Sequence, residues 1–560
     1  MELLRAALTS LPRTAIVTSS RSYSYADLLA MALAASVKLA SSPSTLASSS
    51  SSNGPRVAVM GEPGASYVAG SFAAWLHGGI AVPLCLSHPD RELQYVLEDS
   101  QAAAVLSTDK HAERLYRLAQ PFGAEVHVVP EEQHGQPLEG MPAQQHGAPD
   151  PEVDQQQQQQ VQVQVRVQVQ ERLAGQQPGH GALIVYTSGT TGRPKGALHT
   201  HASLAAMADM LCEAWEWEPQ DRILHSLPLH HIHGIVNALY CPLRIGACVE
   251  MLPKFSPSEV WKRLQRERDP ISVFMGVPTM YSHLLSRYDA LDSDEQPAAA
   301  AAARRLRLAV SGSAACPEPV MRRWQQLSGQ TLLERYGATE TGMILGNPYR
   351  RERRPGTVGQ PFAGVEARIV GSDGQDAGSG PGELRVKSPQ LFREYWNRPD
   401  ATAEAFDSEG FYRTGDTAVV EDGYFKLLGR TSVDIIKHGG YKISALGIES
   451  VLLEHPAIAE AAVLGLPDET YGERIAAVVA LEKPGPAGSG DGGSKGSSSS
   501  SSGLELAELR QWAADRLPPY QLPAELRVVP AIPRNAMGKV NKKELRLQLF
   551  GGGGSASVAA

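Results

Sequence analysis

An apolar run, Ala182-Leu-Ile-Val-Tyr186, leads into a segment made almost wholly of Thr187, Ser188, Gly189, Thr190, Thr191, Gly192, Arg193, Pro194 and Lys195. Glycine lets the backbone bend and bring its N–H groups close to a ligand. Hydroxyls add donors, and the lysine adds fixed positive charge. Those properties together suit a polyphosphate. The spacing is not the Gly-x-x-x-x-Gly-Lys-Ser/Thr of P-loop ATPases, so their mechanism does not transfer.

Three further groups offer complementary chemistry. In Tyr336-Gly337-Ala-Thr339-Glu340 an aromatic face can pack on a purine, a glycine turns the backbone beneath it, and a carboxylate can hold Mg2+ against phosphates. Thr414-Gly415-Asp416, with Arg430 downstream, offers an ionised acceptor suited to a vicinal diol. Lys539 follows Gly538 on a flexible loop, from which it can meet negative charge as a transition state forms. The stretch His230-His231-Ile-His233 first suggests a metal site, but no Glu or Cys lies nearby in sequence at ligand spacing.

In this order, these segments resemble the acyl-adenylate-forming enzymes: acyl-CoA synthetases, luciferases and the adenylation domains of peptide synthetases. The resemblance rests on the loop Tyr186–Gly196 and on further segments from Leu227 to Lys543, and implies a two-step reaction. A carboxylate and ATP first give acyl-AMP and pyrophosphate; a thiol then displaces AMP. It assigns ATP contacts to Thr187 through Lys195, Ser313, Tyr336, Gly337, Thr339, Asp416 and Arg430, and metal and catalytic work to Glu340. It makes Lys539 the lysine of the first step and lets His231 line the acyl tunnel. Asp434-Ile-Ile-Lys437-His-Gly439-Gly440 resembles the loop that enters for the second step, so Lys437, Gly439 and Gly440 are the expected CoA contacts. The implied co-substrates are ATP and CoA, with Mg2+. The family hinge position, usually Asp or Lys, is Ser432 here.

Within the family, Pro228-Leu-His-His-Ile-His-Gly, Val310-Ser-Gly-Ser-Ala-Ala315, Phe392-Arg-Glu-Tyr-Trp396 and Arg430-Thr-Ser-Val-Asp look like malonyl-CoA synthetases. A dicarboxylate keeps a second charge after activation, and burying that charge unpaired costs several kcal/mol. Its pocket therefore needs a cation. The resemblance offers Arg307, with His283 where bacterial members place a second arginine. Methylmalonate is a related substrate. The alternatives are an aromatic or medium-chain monocarboxylate, a luciferase-like oxygenase, and an adenylation module loading a carrier protein.

The elements that must position these residues are α/β in pattern. Val57–Met60 reads as a strand followed by a helix over 66–76, and Ile271–Phe274 as a strand followed by a helix over 279–288. Such alternation predicts mostly parallel sheets flanked by helices. At 560 residues more than one domain is expected. The expected division is a large domain over 1–430 and a small α+β lid over 431–550, ahead of a disordered tail at 551–560. Low-complexity stretches at about 41–54, 131–179, 297–303 and 484–503 read as disordered surface insertions without apolar content for a core. Val161-Gln-Val-Gln-Val-Arg-Val-Gln-Val-Gln170 alternates as an edge strand would.

A formal charge of −8, from Lys+Arg 52 and Asp+Glu 60, shows no basic excess for nucleic acid. No apolar run reaches membrane-span length. The partners expected are small molecules, and the oligomeric state is not legible. Five cysteines without Cys-x-x-Cys spacing suggest a reduced, intracellular protein, cytoplasmic by first expectation and mitochondrial as the alternative. The helix and strand pattern begins at once, so no cleaved leader is expected.

Overall fold

The computed structural model describes residues 1–48, 54–129, 151–187, 193–439, 441–482, 504–534 and 539–551. Two large sheets and a smaller one build the N-terminal domain. A fourth sheet builds the smaller C-terminal domain. The first sheet orders its seven strands as Glu394–Tyr395, Lys195–Thr200, Gly181–Thr187, Ile80–Pro83, Arg56–Met60, Ala102–Ser107 and Glu125–Val128. Its five strands from Gly181–Thr187 to Glu125–Val128 run parallel, while Lys195–Thr200 turns back against Gly181–Thr187 as a hairpin. The inner strands are buried on both faces, which is why Val57–Met60 and Ala182–Val185 are continuous apolar runs rather than alternating ones.

The second sheet has nine strands. Its centre places Leu308–Ser311 in parallel between Val273–Gly276 and Leu333–Ala338, and Leu333–Ala338 pairs antiparallel with Gly342–Gly346. Helices Tyr25–Ala40, Ala65–Leu76 and His201–Ala214 supply residues to the one large core that also takes in side chains of both sheets. The third sheet carries Tyr412–Glu421 and Tyr424–Arg430 as a hairpin. The C-terminal domain has its own core on Ile436, Ile443, Ile448, Val463, Ile475 and Val479.

Two of the expected insertions are ordered helices. Residues Pro151–Leu173 form a helix rather than a surface insertion or an edge strand. Val165, Val169 and Leu173 lie at helical spacing and are buried, whereas Val163 and Val167 face solvent. A period-two pattern contains a period-four subset, and glutamine is a good helix former, so the same residues satisfy a helix with one apolar stripe. The alanine run belongs to helix Gln296–Arg305, with Ala299, Ala300, Ala302 and Ala303 buried against the core. Small side chains allow close packing there, and alanine favours the helix. Within the serine-rich stretch, Pro43–Ser48 is helical; the glycine/serine stretch at 484–503 lies outside the described residues.

Lys542 is buried. Its Nζ lies 2.5 Å from Asp434 Oδ1 and 2.6 Å from Glu449 Oε1, clamping the last helix to the start of the C-terminal domain. No helix among the described residues is long and apolar enough to cross a membrane.

Candidate active site

The cleft is built from strand ends and the turns that follow them. The hairpin Gly181–Thr187/Lys195–Thr200 aligns Thr187 with Lys195, the two feet of the hydroxyl-rich segment; Ser188, Gly189, Thr190, Thr191 and Gly192 lie outside the described residues. Tyr95 O–H donates to Pro194 O at 2.6 Å, and the Arg193 guanidinium lies 5.7 Å from the centre of the Tyr95 ring. Lys195 Nζ lies 4.9 Å from the centre of the Tyr395 ring, and Tyr395 O–H donates to Glu340 Oε1 at 2.7 Å. Tyr395 thus joins the foot of the loop to the acidic motif, a link the sequence reading missed. Thr339 is tied in from behind, its carbonyl 2.7 Å from His199 Nε2.

Gly337 sits where a Cβ would lie 1.9 Å from Gly342 O, so only glycine lets this tight strand pair close. The turn presents Tyr336, whose O–H donates to Asp416 Oδ2. Asp416 Oδ1 lies 3.0 Å from Arg430 Nε, and Arg430 Nη1 donates to Thr414 O at 2.9 Å. Burial raises the Asp416 pKa while Arg430 opposes the rise. Tyr336, read from the sequence as the purine face, and Asp416 with Arg430, read as the diol pair, therefore meet at one point, from strands Leu333–Ala338, Tyr412–Glu421 and Tyr424–Arg430.

Lys539 comes to the same place from the C-terminal domain. A bridge between Arg534 and Val540 closes its loop, whose residues 535–538 lie outside the described residues. Its side chain borders the open cleft yet is ringed by protein, and that surrounding burial lowers its pKa. Arg430 lowers it further, Asp416 and Glu340 act the other way, and Arg335 adds to the lowering. Lys539 also acts on His231, so lysine, histidine and both acids share one cleft.

His231 and His233 stand at the start of a π-helix, His233–Tyr240, a rare conformation that often marks functional sites. Burial holds both imidazoles well below their ordinary pKa, so both are neutral. His233 Nδ1 is 3.3 Å from Ser313 Oγ, and Ser313 itself adopts φ 71°, a left-handed conformation that costs a non-glycine residue energy.

The sequence-chosen arginine is elsewhere. Arg307 precedes strand Leu308–Ser311, and its fork is filled: Nε lies 2.7 Å from Asp221 Oδ1, Nη2 2.6 Å from Asp221 Oδ2, and Nη1 donates to Trp215 O at 2.9 Å. The strand carries the chain from Arg307 to Gly312 over roughly 3.3 Å per residue, so Arg307 sits at the sheet end opposite the cleft. It is a structural residue rather than a pocket cation. His283 is exposed on helix Pro278–Asp289.

The arginine in the cleft is Arg335, unremarked in the sequence although it stands beside Tyr336. It is buried, and its Nε and Nη2 have no hydrogen-bond partner among the described residues. A Cβ on Gly312 would fall 2.3 Å from its Cζ, so the guanidinium lies directly on the Ser311-Gly312-Ser313 turn. It is close enough to lower the His233 pKa. Burial pulls its own pKa down to about 9. An arginine between Leu332-Leu333 and Tyr336, in a strand otherwise destined for the core, was the available signal. On the other face Glu334 Oε1 accepts from Cys316 N at 2.9 Å and steadies the same turn.

Models of two families match, the AMP-binding enzyme over residues 4–396 and the AMP-binding enzyme C-terminal domain over 447–539. The chain belongs to the AMP-binding enzyme family. It is an AMP-forming acid–CoA ligase. A malonate–CoA ligase of Arabidopsis thaliana is 44% identical to this AMP-binding enzyme, over 98% of this chain and 89% of the relative. ATP-bound MatB from Rhodopseudomonas palustris superposes with a TM-score of 0.78 at 28% identity, covering 98% of each chain. A malonyl-CoA ligase complex holding methylmalonyl-CoA and AMP superposes with a TM-score of only 0.61, at 36% identity over 94% of this chain and 99% of that one. The nearer sequence is the poorer superposition.

The expected CoA loop is a hairpin turn of the C-terminal domain. Lys437 is exposed, with its N–H donating to Glu473 Oε2 at 2.6 Å, and Gly439, at φ 56°, donates to Tyr471 O at 2.9 Å. Gly440 lies outside the described residues. Ser432 is exposed in the turn that follows Arg430.

Proposed function

We propose that this protein activates malonate, and methylmalonate as a second substrate, giving the acyl-CoA, AMP and pyrophosphate through an acyl-adenylate. The observation that carries the choice of acid is Arg335: a buried cation with two donors unused, beside His233 and the Ser311–Ser313 turn. A fatty or aromatic acid offers such a group nothing. A second carboxylate offers both missing partners in the bidentate geometry that a guanidinium favours.

In the first step one malonate carboxylate attacks the α-phosphorus of ATP, and pyrophosphate leaves. Asp416 accepts from the ribose hydroxyls, Tyr336 packs on the base, and the Thr187–Lys195 loop holds the phosphates. Lys539 offsets the charge that builds on the α-phosphate and the attacking oxygen. Glu340 suits Mg2+, since Oε1 takes one hydrogen bond from Tyr395, whose ring lies beside Lys195 at the foot of the phosphate loop. Bound there, Mg2+ would neutralise phosphate charge.

In the second step the CoA sulfur attacks the acyl carbon and AMP leaves. One cleft serving two reactions requires the C-terminal domain to exchange Lys539 for the Lys437–Gly440 hairpin by a hinge at Ser432. The position of Lys539 and the better superposition on the ATP-bound relative support an arrangement poised for the first step. All five cysteines are free and buried, which favours a reducing compartment, the cytoplasm or the mitochondrial matrix.

The test is pyrophosphate release with malonate, methylmalonate, acetate, octanoate and coumarate, with and without CoA. Malonate should lead by a wide margin. Equal turnover of octanoate would remove the assignment.

A further inference from the structure

The histidine run that lacked a partner in sequence acquires one in space. Cys85, His88 and His230 bring one sulfur and two ring nitrogens within 4.8 Å of one another. Cys85 and His88 leave strand Ile80–Pro83 in a turn closed by His88 N–H donating to Cys85 O at 3.3 Å. Arg114 Nη2 donates to His88 O at 2.6 Å and pins that turn to the helix beyond it. His230 arrives from the segment ahead of the π-helix, and its buried Nε2 has no hydrogen-bond partner among the described residues. The adenylation chemistry described above uses none of the three.

We propose that Cys85, His88 and His230 form a three-ligand site for a thiophilic divalent cation, Zn2+ above all, whose occupation restrains His231 and slows thioester formation. One sulfur and two imidazoles select Zn2+ over Mg2+, which prefers oxygen, so two cations would sort to two places in this enzyme. Zinc bonds of about 2.3 Å to sulfur and about 2.0 Å to nitrogen put tetrahedral ligand atoms about 3.5 Å apart. From separations of up to 4.8 Å the cluster needs to contract by at most about 1.3 Å, within reach of side-chain rotation. The outer shell is already present. Glu92 Oε2 lies 3.4 Å from His88 Nδ1, the arrangement that fixes the tautomer of a ligating imidazole and leaves Nε2 its lone pair. Three protein ligands leave a fourth position for water, and His88 and His230 are only partly buried, which gives an entry path.

The link to the reaction is a ring contact. The His230 and His231 rings lie 4.0 Å apart. A metal on His230 fixes that ring and with it His231, the histidine expected to line the acyl tunnel that the thiol must reach. This consequence rests on the function proposed above; the binding does not.

The full-length protein, freed of metal by chelation, is titrated with Co2+ as the probe. A thiolate-to-cobalt charge-transfer band is expected, displaced by Zn2+, lost in Cys85→Ser and weakened in His88→Gln. Both variants should keep the wild-type pyrophosphate release without CoA, which shows they are folded. Zn2+ should then slow acyl-CoA formation in the wild type but not in Cys85→Ser, while pyrophosphate release without CoA stays unchanged in both. A missing band, a band that survives in both variants, or equal slowing of the wild type and Cys85→Ser overturns the proposal. An enzyme that releases pyrophosphate with no acid fails the proposed function instead, and the cobalt spectrum still decides the site.

Discussion

Replacing Arg335 by methionine should destroy the preference for malonate while making the empty enzyme more stable. Both halves follow from one fact: the guanidinium is buried with Nε and Nη2 unpartnered. With malonate bound, those two donors make charge-assisted hydrogen bonds of about 1.5–3 kcal/mol each. Without the arginine, the second carboxylate is buried with no counter-charge, a loss of about 3–5 kcal/mol. At about 1.4 kcal/mol per decade, kcat/KM for malonate should fall by roughly 10²–10³·⁵. Acetate has no second carboxylate, so its slow turnover should change by less than about threefold.

Stability moves the other way. The pKa of Arg335 is pulled from an ordinary 12.5 to about 9 by burial. A folded-state pKa below the unfolded one means that the charged form opposes folding, and it does so throughout the range below about 9, neutral pH included. The gap sets a ceiling of roughly 5 kcal/mol; structural relaxation leaves about 1–4 kcal/mol to be regained on removal. The assays are steady-state pyrophosphate release with both acids and the unfolding midpoint with and without malonate. Arg335→Met should melt higher than wild type when empty and show no malonate-dependent shift. A variant that keeps its malonate-over-acetate ratio refutes the reasoning, as does an Arg307→Met enzyme that loses malonate and keeps acetate.

Arg307→Ala should instead lower stability by about 3–5 kcal/mol in chemical denaturation, because it strands the buried Asp221, and the soluble fraction should retain its substrate preference. Lys539→Ala should slow pyrophosphate release by about 10²–10³, the scale of a lost oxyanion donor, while transfer from supplied malonyl-adenylate to CoA changes far less. The Lys539 pKa is lowered by burial and by Arg430, and the protonated form is the active one. Pyrophosphate release should therefore fall as pH rises through a value below the ordinary 10.5, and a pH–rate profile of Lys539→Arg should lack that limb. In helix Pro151–Leu173, Val169→Asp buries a charge and should cost several kcal/mol, whereas Val163→Asp, 61% exposed in the wild type, should leave the melting midpoint within about a degree.

Local sequence was enough where the chemistry is carried by contiguous residues. The strand before Thr187, the Tyr336–Glu340 turn and the Asp416–Arg430 hairpin each declare themselves, because a tight approach demands glycine and a ligand demands a fixed order of side chains. The α/β alternation, the larger and smaller domains and the parallel sheet centres follow from the same short-range patterning. What depends on partners distant in the chain was not legible. Two arginines, Arg307 and Arg335, look alike as residues, and only the sheet decides that one meets Asp221 at the far end of a strand while the other lies against Gly312 in the cleft. Glutamine and valine in alternation fit a strand or a helix equally well until a core exists for Val165, Val169 and Leu173 to enter. His230 found no ligand partner within its own segment because Cys85 and His88 reach it from another strand end. Sequence determines which groups can react; long-range packing, which sets burial and removes or supplies partners, decides which of them meet.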